Sequence, residues 1–180
     1  IETFFLGNGS NLLVADDGYP GFVMKLSGRY SVDELNRVWE ANRLLVTGGA
    51  VLLSSLSGCA LGRNLTGLEF AGGIPGSVGG AVTMNAGAYG GEMAQVLESV
   101  TFLDEAGEVC TLPVSECGFG YRKSIFSQRK CLILRARFRL EQGDGYAIKA
   151  RMDELTAKRR EKQPIDLPSA GSMFKRPPGH

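Results

Sequence analysis

Short apolar runs closed by Gly, Asn or Asp fill the first quarter of the chain: FFL at 4–6, NLLVAD at 11–16, GFVMKL at 21–26 and RLLVTGG at 43–49. Their brevity and turn-rich ends predict strands and turns. Between the last two, SVDELNRVWEANR carries a helical period, with Val32, Leu35 and Trp39 on one face. Ser31 and Glu34 have the spacing of a reciprocal N-terminal cap. A second, weaker helix is predicted over 53–61.

Further along, LESVTFLDEAGEVCTL reads as a hairpin turning at Glu105–Gly107. CLILRARFRLE alternates Leu132, Leu134, Ala136, Phe138 and Leu140 with Ile133, Arg135, Arg137 and Arg139, which predicts a strand with one core face and one mostly basic, solvated face. YAIKARMDELTAKRREKQP predicts a helix with Ile148, Met152 and Leu155 inward and Lys158, Arg159, Arg160 and Lys162 near its end, where cations complement the dipole. Gln163-Pro164 stops it, and a turn-rich stretch follows. Strands and helices mix without strict βαβ alternation, so the predicted fold class is α+β.

Between Glu69 and Glu92 lie 22 uncharged residues, FAGGIPGSVGGAVTMNAGAYGG, with eight glycines and one proline. Length alone suggests a membrane span, but Gly and Pro would leave its backbone groups unsatisfied in lipid. A flexible linker lacks the anchors Ile74, Val78, Val82, Met84 and Tyr89. Glycines alternating with anchors imply a fixed backbone that something approaches closely, and a ligand is the leading candidate.

Composition narrows the classes. Twenty basic and 19 acidic residues give a net charge of +1, which supplies no global attraction for nucleic acid. The four cysteines have no C-x-x-C spacing and the only histidine is His180, so no metal site is expected. Reduced thiols in a cytoplasmic protein are the simpler reading. The chain opens on Ile1 without a basic leader, and is expected to be a piece of something longer.

Four motifs could carry chemistry. In LGNGSNLLV, residues Gly7, Asn8, Gly9, Ser10 and Asn11 can form a nest of N–H groups for an anion, or simply a tight hairpin turn. Leu12 stands where a Rossmann loop has its third glycine. In GGIPGSVGGAV, Pro75 fixes the entry, Ser77 offers a hydroxyl, and Gly76, Gly79 and Gly80 allow close approach to a diphosphate. Two such loops suit a ligand with a diphosphate and flat aromatic parts, such as a flavin dinucleotide. GYRKSIFS sets Tyr121 and Arg122 side by side, an ordinary surface pair when taken alone. SAGSMFKRP places Ser172 ahead of Lys175 and Arg176; without a histidine it is no hydrolase serine, though it can serve as a proton donor.

Taken together, LGNGSNLLV, GLEFAGGIPGSVGGAVTMNAGAYGGE, YRKSIF and KQP…AGSMFKRP resemble the UDP-N-acetylenolpyruvoylglucosamine reductase (UDP-N-acetylmuramate dehydrogenase) family, in its shorter branch. The resemblance runs over essentially all 180 residues. It implies an FAD-binding domain of the mixed-sheet type shared with vanillyl-alcohol-oxidase-like flavoproteins, over 1–163, and the start of an α+β substrate domain over 164–180. It implies non-covalent FAD reduced by NADPH. Hydride then passes to the enolpyruvyl ether of a UDP-sugar in peptidoglycan precursor synthesis, and a serine protonates the neighbouring carbon.

By that resemblance Ser172 is the proton donor and Arg122 stabilises charge on the substrate carboxylate. Gly7–Asn11 and Gly73, Ile74, Pro75, Gly76, Ser77, Gly79, Gly80 and Ala81 hold FAD. Tyr121, Arg159, Lys162, Lys175 and Arg176 meet the substrate, the cations at its diphosphate. The family begins earlier and continues past His180 with a glutamate that partners the arginine, so the 180-residue piece is expected to be inactive by itself, and the intact protein a monomer. Two other classes stay open: a flavin oxidase, which would leave SAGSMFKRP unexplained, and a non-catalytic nucleotide-binding module, which would leave Arg122 and Ser172 idle.

Overall fold

The computed structural model describes residues 1–26, 38–39, 43–164, 167, 174 and 177, with Val38 and Trp39 as backbone only. Strand β1 (Thr3–Leu6) pairs in parallel with β2 (Phe22–Lys25), Leu6 opposite Lys25. Parallel neighbours need a crossover rather than a tight turn. Residues 7–21 supply it, and the first glycine motif opens that crossover. The run 11–16, predicted as a strand, therefore stays irregular and exposed, with Leu13 84% accessible.

The main sheet is antiparallel, in the order β3 (Val38–Trp39), β4 (Leu44–Gly48), β10 (Leu132–Arg139), β8 (Leu97–Leu103), β9 (Val109–Pro113). Strand β3 corrects the helix predicted over 31–43 at Val38–Trp39, where Trp39 lies opposite Leu44; residues 31–37 and 40–42, with the capping pair Ser31 and Glu34, fall outside the described residues. The β8–β9 hairpin turns as predicted, since the Asp104 side chain accepts from the N–H groups of Ala106 and Glu108 and Gly107 takes φ +85°.

Strand β10 forms where its alternation predicts, but a bulge between Ile133 and Arg135 puts two consecutive residues, Leu132 and Ile133, into the core and leaves Leu134 half-buried. One extra residue shifts the pleat and swaps the faces on one side of it. Arg137 and Arg139 on the other face flank Glu98.

Helix α1 (Leu53–Leu61) buries Leu53, Leu56 and Ala60. Helix α4 (Gly145–Lys162) is capped by Asp144, buries Ile148 and Leu155, and ends at Gln163 with Arg159, Arg160 and Lys162 in its last turn. The uncharged stretch is no linker. It folds as a one-turn 3-10 helix (Glu69–Ala71), the short helix α2 (Val78–Thr83) and a hairpin of β6 (Gly87–Ala88) and β7 (Gly91–Glu92), followed by α3 (Met93–Val96). Two-residue β5 (Leu65–Thr66) pairs with β11 (Glu141–Gln142). Among the described residues no helix is long and apolar enough to cross a membrane.

Val78 and Val82 of α2 join Leu45, Val100, Ala136 and Phe138 of the sheet in one buried core. The architecture is α+β, and the segment richest in glycine is packed on its central strand.

A backbone cradle and an arginine clamp at opposite ends of one short helix

The two glycine motifs meet at the N-terminal end of α2. The N–H of Leu53 donates to the Gly76 carbonyl (3.0 Å), Val78 to Val51 (2.8 Å) and Gly79 to Gly49 (2.8 Å). The segment is thereby stitched to the turn between β4 and α1. A Cβ at Gly79 would lie 3.1 Å from the Gly49 oxygen, so a side chain there would press on that carbonyl. From the other side, the Ser10 hydroxyl donates to the Pro75 carbonyl. Gly7 lies under Ser77, and Gly9 takes φ +74°. Motifs far apart in sequence form one surface.

Several N–H groups sequence reasoning offered to a ligand are already used. Val78 and Gly79 donate to the sheet-side turn, and Gly80 donates to the Ser77 hydroxyl, which caps the helix (3.4 Å). Among the described residues, the N–H groups of Asn8, Gly9, Ser10, Asn11, Gly76 and Ser77 meet no protein acceptor. These six line the junction of the two motifs, and Ser77 keeps its own hydroxyl proton to donate. Such a set suits an anion that needs many donors and little side-chain bulk. Ile74, half-buried, and Ala81, buried, anchor the second motif instead.

Arg159 supplies a cation at this end. Its side chain lies on the second motif: a Cβ at Gly73 would stand 3.2 Å from Cδ and 3.4 Å from Nη1 of Arg159. Beside it is a cavity of about 150 Å³ lined by Gly72, Tyr89, Met152 and Thr156 among others. Lys162, three residues on, is exposed. A larger groove of about 550 Å³ lies elsewhere, among Thr66, Glu98, Arg139 and Glu141. It contains none of the candidate site residues, and its charges are committed in the Arg139–Glu98 and Arg43–Glu141 pairs.

Arg122 sits at the other end of α2, which at 1.5 Å per residue is about 9 Å long. Tyr121 and Arg122 are the central residues of a turn closed both ways, from Gly120 N–H to the Lys123 carbonyl (3.0 Å) and from Lys123 N–H to the Gly120 carbonyl (3.1 Å). Arg122 takes φ +52°, a position glycine or asparagine usually fills. Its guanidinium donates to the carbonyls of Asn85 (3.3 Å) and Gly87 (2.8 Å), and lies 5.2 Å from the Tyr121 ring centre. Two of its five N–H groups are thus spent on holding it.

Ser124 fixes the following residues, donating its buried hydroxyl to the Thr83 carbonyl (2.7 Å). Below the turn, the Cys117 carbonyl accepts from Ile125 N–H (3.0 Å). Burial, aided by Glu116, pushes the Cys117 thiol up to about 11. Burial also raises Cys59 and Cys131, against the opposing pull of Arg63 and Arg129. None of the four cysteines is in a disulfide, and among the described residues no group of acidic, Cys or His side chains could hold a metal ion.

Sequence reasoning missed Asn85. It is fully buried, at φ +43°, and touches the turn and α3. The available signal was its being the single amide in the uncharged stretch. Ser172, Lys175 and Arg176 lie outside the described residues.

A mixed α+β scaffold presenting two glycine motifs as one N–H-lined surface defines a nucleotide-cofactor-binding domain. Residues 1–113 match the family model described as FAD binding domain, and the chain belongs to that family. Over all 180 residues it is 50% identical to the UDP-N-acetylenolpyruvoylglucosamine reductase of Clostridium novyi (strain NT) and 48% identical to that of Caldanaerobacter subterraneus subsp. tengcongensis. It spans 57% and 58% of those proteins' lengths. The crystal structure of UDP-N-acetylenolpyruvylglucosamine reductase from Thermus caldophilus superposes with a TM-score of 0.83 at 38% identity, covering 98% of this chain and 62% of that one.

Proposed function

We propose that the chain is the FAD-holding part of a UDP-N-acetylenolpyruvoylglucosamine reductase, with residues 1–163 forming the cofactor domain and 164–180 beginning the substrate domain. The observation that carries this reading is the arrangement around α2, with the N–H surface of both glycine motifs at one end and Arg122 at the other. The free N–H groups of Asn8–Asn11, Gly76 and Ser77 fit the FAD diphosphate, while Arg159, beside Gly73, joins Lys162 in serving the substrate's diphosphate.

Bound FAD supplies two-electron chemistry, accepting electrons from NADPH and passing them to the enolpyruvyl double bond of the UDP-sugar. The chain's own residues manage charge and protons. Reducing a double bond conjugated to a carboxylate builds negative charge on that carboxylate. A guanidinium already fixed in place can stabilise that charge without reorganising as it forms. Arg122 has its remaining N–H groups for that bidentate contact. Ser172 gives its hydroxyl proton to the carbon beside the ether oxygen. Lys162, Lys175 and Arg176 neutralise the UDP diphosphate, and Tyr121 flanks the substrate. Four cysteines outside any disulfide accord with a reducing compartment, the cytoplasm.

The test uses the full-length protein carrying Ser172→Ala. Flavin reduction by NADPH is retained, while reoxidation of the reduced flavin by the enolpyruvyl substrate slows by at least about a hundredfold. A purified protein without releasable FAD, or a variant that turns over substrate normally, overturns the reading.

A further inference from the structure

We propose that Asn85 is a positioning residue for Arg122, setting both the backbone of its turn and the direction of its guanidinium. This rests on the reading of Arg122 as the group that meets the substrate carboxylate. A non-glycine residue at positive φ persists only where its surroundings over-determine it, and Arg122 at φ +52° needs such a hold. Asn85 supplies it through three contacts. Its Nδ2 donates to the Gly120 carbonyl (3.0 Å), the same oxygen that closes the turn from Lys123. Its own backbone carbonyl accepts from Nη1 of Arg122 (3.3 Å). Its Oδ1 accepts from the Ala94 N–H (3.0 Å), which fixes which way the amide faces.

Only asparagine meets every condition at this position. The φ of +43° excludes most side chains, and Asn, Asp and Gly tolerate it best. Gly satisfies the backbone but carries no amide. Asp keeps an acceptor for Ala94 but loses the donor to Gly120, and sets its carboxylate against a carbonyl oxygen. The residue is fully buried at the C-terminal end of α2, away from the glycine junction at the N-terminal end. Its loss therefore misaims Arg122 without removing charge and without disturbing the free N–H groups of the cofactor cradle.

The experiment is done on the full-length holoenzyme with Asn85→Gly, Asn85→Asp, Arg122→Lys and the Asn85→Gly/Arg122→Lys pair. Flavin is reduced chemically with dithionite, and its reoxidation by the enolpyruvyl UDP-sugar is followed by stopped flow. Asn85→Gly and Asn85→Asp each slow reoxidation by about tenfold or more, with FAD content and rate of reduction by NADPH within about twofold of the parent. In the Arg122→Lys background, Asn85→Gly costs less than about threefold further, because the two residues act as one unit.

Reoxidation unaffected by Asn85→Gly, or slowed by the same factor in both backgrounds, overturns the positioning role and leaves Arg122's role standing. Reoxidation unaffected by Arg122→Lys overturns the Arg122 reading, and the positioning role with it. Failure of both Asn85 variants to fold or to retain FAD makes the residue structural, and also overturns the proposal.

Discussion

A Cβ on Gly7 would stand 2.7 Å from the Ser77 hydroxyl and 3.7 Å from the Gly80 Cα. The first glycine motif thus closes against the cap of α2 with no room for a methyl group, and Ser10 secures it by donating to the Pro75 carbonyl. Gly7→Ala in the intact protein is expected to part the two motifs and weaken FAD binding by about tenfold or more, roughly 1.4 kcal/mol per factor of ten. Ser77→Ala removes the clashing oxygen and so recovers part of the loss, at a cost of about 1 kcal/mol for the missing helix cap. A fluorescence titration of the stripped protein with FAD reads both effects. Equal affinity in Gly7→Ala would show that the motifs need not touch.

Gly49 and Gly58 invite opposite outcomes. A Cβ at Gly49 would fall 2.1 Å from the Ile133 carbonyl oxygen, in the backbone of the central strand, whereas one at Gly58 in α1 meets nothing within 4 Å. Gly49→Ala is expected to cost about 3 kcal/mol or more, or to prevent folding, since backbone has little room to give. Gly58→Ala sits in an exposed helix interior and is expected to stabilise by about 0.5–1 kcal/mol. Urea midpoints of the two variants beside the parent check both signs.

The Ser124 hydroxyl is completely buried; it donates to the Thr83 carbonyl at 2.7 Å and accepts from the Ser127 N–H. Ser124→Ala removes the donor and leaves that carbonyl short of a hydrogen bond in a part-buried place. The expected loss is about 1–3 kcal/mol, read as a lowered denaturation midpoint. A change below about 0.5 kcal/mol would mean that water replaces the hydroxyl.

Alkaline stability should depend on Cys117. Its folded thiol, buried and beside Glu116, keeps its proton up to about 11, against 9.0 for an ordinary thiol. As pH rises the unfolded chain sheds this proton first. The stability carried by the buried neutral thiol is therefore complete below pH 9.0 and is lost on the way to about 11. Cys117→Ala removes this linkage, so the fall in melting temperature between pH 9.0 and about 11 is expected to be smaller in the variant. Parallel curves would show that the thiol does not report on folding.

Elements that announce themselves by local pattern were readable in the sequence: the hairpin turning at Glu105–Gly107, α1, α4 and the body of β10. What escaped depends on contacts between distant residues. The bulge that buries Ile133 follows from pairing with β8, and Trp39 fits a helical face by spacing yet lies opposite Leu44 in a strand. The glycine motifs pointed to a close backbone approach, but not to which glycine serves the ligand and which serves the fold. Gly79 meets Gly49, and a Cβ on Gly91 would press on the Phe70 ring at 2.5 Å. Asn85 was invisible for the same reason, since its partners Ala94 and Gly120 lie in other elements.

Helix α2 is only six residues long, far below what a lone helix needs to persist in water. Its shape is borrowed from the carbonyls of Gly49 and Val51 and from the sheet behind them. The glycine-rich motif is therefore not a portable module. Moved to another protein without that turn and strand, the same residues would be a flexible peptide, with its cradle and its arginine clamp no longer held at a fixed separation.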